Sequence, residues 1–243
     1  MKNTKTQFDN DNVYDHWNFV FGFGPWKWPK EIDERNNPNS TFNIIGRSFV
    51  ETVNAEIIEN VPEENRNVVV QCGGHAGIYP FLLSNMFKKV YTFEPDPINF
   101  HCLVNNCQRE NIVKIQAALS NKVGHQQFEK TRGNTGQHRL AGENAWPKLK
   151  PINTFDVLTL TVDSLFIEHL DMLIIDAEGY SSNIIEGAKE TLKRSNTFVL
   201  FEKHWDPERI KDEKKLMESI GYVMHRETGT DAYYKNKTQT GVK

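Results

Sequence analysis

Cysteine is scarce in this chain. Three residues, Cys72, Cys102 and Cys107, form no C-x-x-C pair and leave an odd count in 243 positions. That usage argues against an oxidising compartment, and a reducing cytoplasmic location is the expectation. Long apolar runs are also lacking: none approaches the ~20 residues needed to cross a bilayer. The opening Met1–Asn10 stretch has no apolar core of the kind a secretory signal carries. Nor is charge of one sign in excess, since 29 basic against 32 acidic residues give a net −3 and a pI of about 6.3. Such a balance provides no general electrostatic footprint for duplex nucleic acid. These absences leave a globular chain, 38% hydrophobic and 25% charged, of a size for one domain with an N-terminal extension.

Aromatics, by contrast, crowd near the start. Trp17, Phe19, Phe21, Phe23, Trp26 and Trp28 fall within twelve positions, among Gly22, Gly24, Pro25 and Pro29. An arm whose aromatics pack onto the main domain is the simplest expectation, and a mobile lid or partner-binding patch is the alternative. Residues 33–40 read as a loop. Residues 47–60 carry Phe49, Val50, Val53, Ile57 and Ile58 at helical spacing. The expected division is therefore an aromatic arm and amphipathic helix over 1–60, and one domain over 61–243.

From residue 66 strand and helix patterns alternate. Strands are expected at Val68–Cys72, Val90–Phe93, Val113–Ala118, Met172–Asp176 and Thr197–Glu202. Phe81, Leu82, Leu83, Met86 and Phe87 mark the buried face of a first helix. Asp96 with Pro97 forms an N-cap and first helical position for a second. Residues 182–193 carry a third. Tyr222–Arg226 and Asp231–Lys235, around Glu227-Thr228-Gly229-Thr230, read as a terminal antiparallel hairpin. This order predicts an α/β, doubly wound, mostly parallel sheet.

The chemistry is concentrated at strand ends. Val68-Val69-Val70-Gln71-Cys72 runs into Gly73-Gly74-His75-Ala76-Gly77, and Glu94 closes the next strand 21 positions after Gly73. That is the span of a β-turn-α-β unit, in which the acidic residue accepts from the hydroxyls of a ribose held over the glycine turn. A dinucleotide fingerprint would need glycine at position 72, where Cys72 stands. Ligands in such sheets bind at the carboxyl ends of the strands, which gathers Gly73–Gly77, Glu94, Gln116–Ser120, Asp176–Gly179 and Glu202–Trp205 along one rim.

An ordered set of motifs over roughly 66–204 resembles the FkbM family of S-adenosylmethionine-dependent methyltransferases. The family's D-V-G-A-N-x-G turn is matched by Gln71-Cys72-Gly73-Gly74-His75-Ala76-Gly77, and its F-E-P-x-P by Phe93-Glu94-Pro95-Asp96-Pro97. A-A-L-S is Ala117-Ala118-Leu119-Ser120, and T-x-D-S-L is Thr161-Val162-Asp163-Ser164-Leu165. K-I-D-V-E-G appears as Ile174-Ile175-Asp176-Ala177-Glu178-Gly179, followed by Gly187-Ala188-Lys189-Glu190-Thr191-Leu192. Gln71, His75, Ile174 and Ser181 replace the family's Asp, Asn, Lys and a common Glu. The resemblance implies a class I, Rossmann-like methyltransferase fold with S-adenosyl-L-methionine as cofactor. It implies a donor site made of Gln71, Gly73, Gly74, His75, Gly77, Glu94, Pro95, Ala117, Ala118 and Asp176.

Methyl transfer to a hydroxyl needs alignment and a base within hydrogen-bond reach. Asp176 and Glu178 are the first candidates and His204 the second, with the better unperturbed pKa for that work. A carboxylate pair also suits Mg²⁺, but the ion is not favoured, because the sequence offers no evident third oxygen ligand. Residues 122–151 form a long, structureless connector with six basic and two acidic residues, expected to overhang the site. Arg132, Asn134, His138 and Arg139 in it would bind a small acceptor carrying phosphate or carboxylate, such as a nucleotide-linked sugar. A non-catalytic scaffold and a nucleic-acid methyltransferase are the rival readings; the latter would need an N-P-P-Y-like motif where Asp176-Ala177-Glu178-Gly179 stands.

Overall fold

The computed structural model describes residues 14–17, 26–29, 55–132, 134–142 and 150–239. Phe19, Phe21, Phe23, the 33–40 loop, the first part of the 47–60 helix and Trp146 lie outside them. Strands β1 (Tyr14–Trp17) and β2 (Trp26–Pro29) pair antiparallel. Helix α1 covers 55–60, where Ile57 is buried but Ile58, expected on the same face, is 63% exposed. Adjacent helical positions are about 100° apart, and the core takes only one of the two.

Next come β3 (Val68–Cys72), α2 (Ile78–Leu83), β4 (Lys89–Phe93), α3 (Pro97–Asn106) and β5 (Ile112–Ile115). Four strands follow, β6 (Ala118–Leu119), β7 (Gly124–Lys130), β8 (Arg139–Leu140) and β9 (Asn153–Leu160). The chain closes with β10 (Met172–Ile175), α4 (Ser181–Glu186), α5 (Lys189–Arg194), β11 (Phe198–Glu202), α6 (Pro207–Ser219), β12 (Tyr222–Glu227) and β13 (Asp231–Asn236). Asp96 caps α3 as expected, accepting from the backbone N–H of Ile98 and Asn99 at 2.7 and 3.1 Å.

The main sheet has the order β12-β13-β11-β10-β3-β4-β5, and only β13 runs against its neighbours. The chain leaves β3 outward through β4 and β5, then returns to place β10 on the other side of β3. That reversal makes the carboxyl ends of β3 and β10 the switch point, where an α/β sheet opens a crevice. Both faces are covered, so Val69, Met172, Ile174 and Leu200 enter one core while Val70, Leu173, Ile175 and Val199 enter the other. Two-sided burial explains why these strands read as continuous apolar runs.

Three expectations are corrected. The third strand stops at Ile115, and Ala118–Leu119 joins a second sheet, β6-β9-β7-β8. The Ala117 N–H turns back onto Ile115 O at 3.0 Å, which takes the chain out of the main sheet. The connector is not structureless: β7 and β8 lie within it, and β7 pairs with β9 over seven residues. The alternation is visible in Phe128 of β7 and in Phe155, Val157 and Thr159 of its partner β9, but polar neighbours masked it. Finally, the 182–193 helix is two helices. A Cβ at the intervening Gly187 would stand 2.1 Å from Ser120 O, so the close approach of the second sheet breaks the helix there.

Candidate active site

The glycine turn follows β3. Gly73 and Gly77 adopt φ of 85° and 100°, and His75 between them has φ of 44°. A side chain at Gly73 would place its Cβ 2.1 Å from Asp176 O, and at Gly74 2.4 Å from Leu103 Cδ1. Both residues also donate to Phe93 O, at 3.0 and 2.9 Å, so the turn lies flat across the strand ends. Beneath it, Gln71 is fully buried. Its amide donates to the carbonyls of Cys72 and Gly73 at 3.1 and 2.7 Å, and its Oε1 accepts from Thr92 Oγ1 at 2.6 Å. Gln71 thus props the turn from below.

Glu94 ends β4 beside that turn. Oε2 accepts from His75 N and Oε1 from Asp96 N, each at 2.8 Å. These bonds, with a further one from the Asn99 side chain, fix the carboxylate. Burial, with Asp96 nearby, pushes its pKa up to about 8.

A cavity of about 460 Å³ runs from Gly73, Gly74, His75 and Glu94 past Asp176 to Glu178, Glu202 and Asp231. Its size is that of a small-molecule site. Asn134, Thr135, Gly136 and Gln137 cover part of it. Glu178 and Gly179 take left-handed conformations, φ 49° and 89°, which fold the segment after β10 into a tight turn. Asp176, Glu178 and Glu202 present oxygens within 4.8 Å of one another. Loss of water around them raises all three carboxyl pKa values, and repulsion adds to it: from Asp231 on Asp176, from Asp176 on Glu178, and from Asp176, Glu178 and Asp231 on Glu202. Glu202 Oε2 is buried with no hydrogen-bond partner. Three carboxylates this close share protons or take a counter-cation, and Glu202 supplies the third oxygen that the sequence did not reveal.

The residues expected from sequence divide clearly. Gly73, Gly74, His75, Glu94, Asn134, Asp176 and Glu178 line the cavity. Gln71, Gly77, Pro95, Ala117 and Ala118 do not: Gln71 and Gly77 shape the turn, Pro95 stands beside it, and the two alanines belong to the core. His204 is not among the lining residues either; its Nδ1 accepts from Asp206 N at 3.0 Å, at the start of α6. Arg132 is exposed, Arg139 pairs with Glu129 at 3.2 Å, and His138 Nδ1 accepts from Thr131 N. None of these three is among the lining residues, although the charge of Arg139 acts on Glu178, which is. Tyr79, Thr135 and Asp231, not singled out by sequence, line it. Asp231 was signalled only through register, since it pairs with Glu202 across β11 and β13.

The model of the FkbM methyltransferase domain matches residues 71–224. The chain belongs to that family. S-adenosyl-L-methionine is the cofactor of these methyltransferases, and the Gly73–Gly74 backbone and the pinned Glu94, which line the cavity, fit such a group. No curated protein sequence matches this chain. Among solved structures, FkbM methyltransferase from Methylobacillus flagellatus KT is 15% identical, covering 70% of this chain and 43% of its own, with a TM-score of 0.49. Precorrin-6y C5,15-methyltransferase from Geobacter metallireducens GS-15 is 11% identical over 84% of this chain and 96% of its own, TM-score 0.47. Magnesium protoporphyrin IX methyltransferase from Synechocystis PCC 6803, solved with bound SAM, is 10% identical over 80% and 81%, TM-score 0.47. No helix among the described residues is long and apolar enough to cross a membrane.

Proposed function

We propose that this methyltransferase binds S-adenosyl-L-methionine over the Gly73–Gly77 turn and methylates a hydroxyl of a small, sugar-like acceptor. One observation carries the reading: a single cavity joins a glycine cradle and a pinned carboxylate, at the ends of β3 and β4, to carboxylates at the ends of β10 and β11. When bound, the donor supplies a methyl group activated by its sulfonium. Gly73 and Gly74 present backbone to the cavity, and the remaining acceptor capacity of Glu94 takes a ribose hydroxyl. That hydrogen bond favours the ionised carboxylate and lowers a pKa that is raised when the protein is alone.

At the other end, Asp176 and Glu178 take up the acceptor's proton. Their raised pKa values bring them toward neutrality, where a general base works best. The cover formed by 134–137 limits water, and the rest of the task is alignment. An acceptor bearing phosphate or carboxylate would meet Asp176, Glu178, Glu202 and Asp231. A neutral polyol donates hydrogen bonds to the same oxygens, so the anionic part of the sequence expectation is set aside.

Titration calorimetry with S-adenosylhomocysteine, on wild type and Glu94→Ala, tests the donor assignment. Micromolar binding weakened at least tenfold by Glu94→Ala is expected. Equal affinity in both proteins, or none in wild type, would overturn it.

A further inference from the structure

Three segments remote in sequence meet on the imidazole of His75. Its Nε2 lies 2.8 Å from Thr135 Oγ1, in the stretch that covers the cavity. The Trp28 indole from β2 packs edge-on against it, with ring centroids 5.0 Å apart. The third segment is the donor turn itself, where His75 holds a left-handed backbone conformation, φ 44°, that is unfavourable for an L side chain. Something must hold it there.

The hydrogen-bond network assigns the imidazole tautomer. Burial keeps the ring neutral, its pKa lowered to about 3. Nδ1 is buried and has no hydrogen-bond partner among the described residues. A buried orphan N–H is rarer than an under-satisfied acceptor, so the proton belongs on Nε2 and is donated to Thr135 Oγ1.

Both outer segments are anchored independently. Asn99 in α3, five residues beyond Glu94, donates to Thr135 O at 3.1 Å. Asn134 is tied within its own turn, accepting from Gly136 N at 2.9 Å and from Thr131 Oγ1 at 3.1 Å. On the opposite side Asn106 clamps β2: it accepts from Lys27 N and donates to Lys27 O, at 2.9 and 2.8 Å. The same amide donates to Ala76 O at 2.7 Å, next to His75. Trp26, Trp28, Ala76, Ile78 and Cys102 form a small core around this junction.

We propose that Thr135 and Trp28 are positioning residues of the methyl-donor site, gripping His75 from two sides so that the donor turn keeps its shape and the 134–137 segment closes over the ligand. On this view the N-terminal strand and the connector are parts of the donor site, although neither carries a donor-binding motif. The proposal rests on the donor assignment made above. It predicts that the Thr135 hydroxyl adds a coupling between ligand binding and the ordering of 134–137, beyond the bonds that already anchor the segment.

Thr135→Val removes that hydroxyl and keeps the shape, Thr135→Ser retains it, and Trp28→Leu removes the indole. The readouts are S-adenosylhomocysteine affinity by calorimetry, amide exchange of 134–137 with and without the ligand, and the melting temperature. Thr135→Val is expected to weaken binding about fivefold and to diminish the ligand-induced protection of 134–137, with a melting temperature lowered by only a few degrees. Thr135→Ser is expected to behave as wild type, and Trp28→Leu to weaken binding in the same direction. In a His75→Ala background, Thr135→Val should have no further effect. Wild-type affinity and protection in Thr135→Val would overturn the proposal, as would a defect that Thr135→Ser shares. Absence of binding by wild type would overturn the donor assignment, and this proposal with it.

Discussion

Lys130 Nζ lies 2.7 Å from Asp96 Oδ2, joining the small sheet to the start of the helix behind Glu94. The Asp96 side chain is fully buried and that of Lys130 is 16% exposed. Asp96 therefore both caps α3 and anchors β7, the strand that leads into the cover of the cavity. Removing the lysine strands a buried charge. Lys130→Met is expected to destabilise the fold by about 3 kcal/mol, read as a shifted denaturation midpoint with an unchanged m-value.

Gln71 occupies the place where the family pattern has an acid, and its amide bridges two carbonyls and a hydroxyl. Gln71→Leu leaves buried acceptors without donors, at a cost of about 1–3 kcal/mol. Gln71→Glu should be worse, because a carboxylate would face the carbonyls of Cys72 and Gly73. Chemical denaturation of the three proteins ranks them. Equal stability of the glutamate variant and wild type would remove Gln71 as the support of the turn.

At Gly73 two demands coincide, a φ of 85° and a Cβ position 2.1 Å from Asp176 O. Gly73→Ala should therefore push the turn away from β10 as well as strain it. Loss of S-adenosylhomocysteine binding is expected, with a lowered melting temperature. Full binding by the alanine variant would show that the ligand does not lie against this turn.

Stability should depend on pH in an unusual direction. The pKa of Glu94 rises from 4.5 to about 8 in the fold, and that of Glu202 is raised by burial and neighbouring carboxylates. Across that window the folded protein retains protons that the unfolded chain has released, so stability falls as pH rises. The ligand-free protein is expected to melt at a lower temperature at pH 8 than at pH 5.5. Glu202→Gln, which no longer titrates, should show a smaller drop. A flat profile, or the same drop in the variant, would contradict this account.

Much of the architecture was legible in the sequence. Runs such as Val68–Cys72 and Met172–Ile175 are apolar on both faces, and only a doubly covered sheet accommodates that. Glycines 73 and 77 and the acid at 94 are local signals, set by backbone geometry and the length of one β-turn-α-β unit. The cap at Asp96 is local as well. These features needed no partner distant in sequence.

The remainder was decided by tertiary structure. Strands β7 and β9 pair through polar segments, whose outward side chains conceal a period of two. The break at Gly187 depends on a carbonyl 67 positions earlier in the chain. Arg139 pairs with Glu129 and its charge also acts on Glu178, whereas Glu202 and Asp231 became cavity residues when register brought their strands together. Composition and motif spacing determined the sheet, the glycine turn and the acidic strand ends. Only folding decided which charges neutralise one another and which remain facing the cavity, because a charge's role depends on the groups that distant segments bring within a few ångströms.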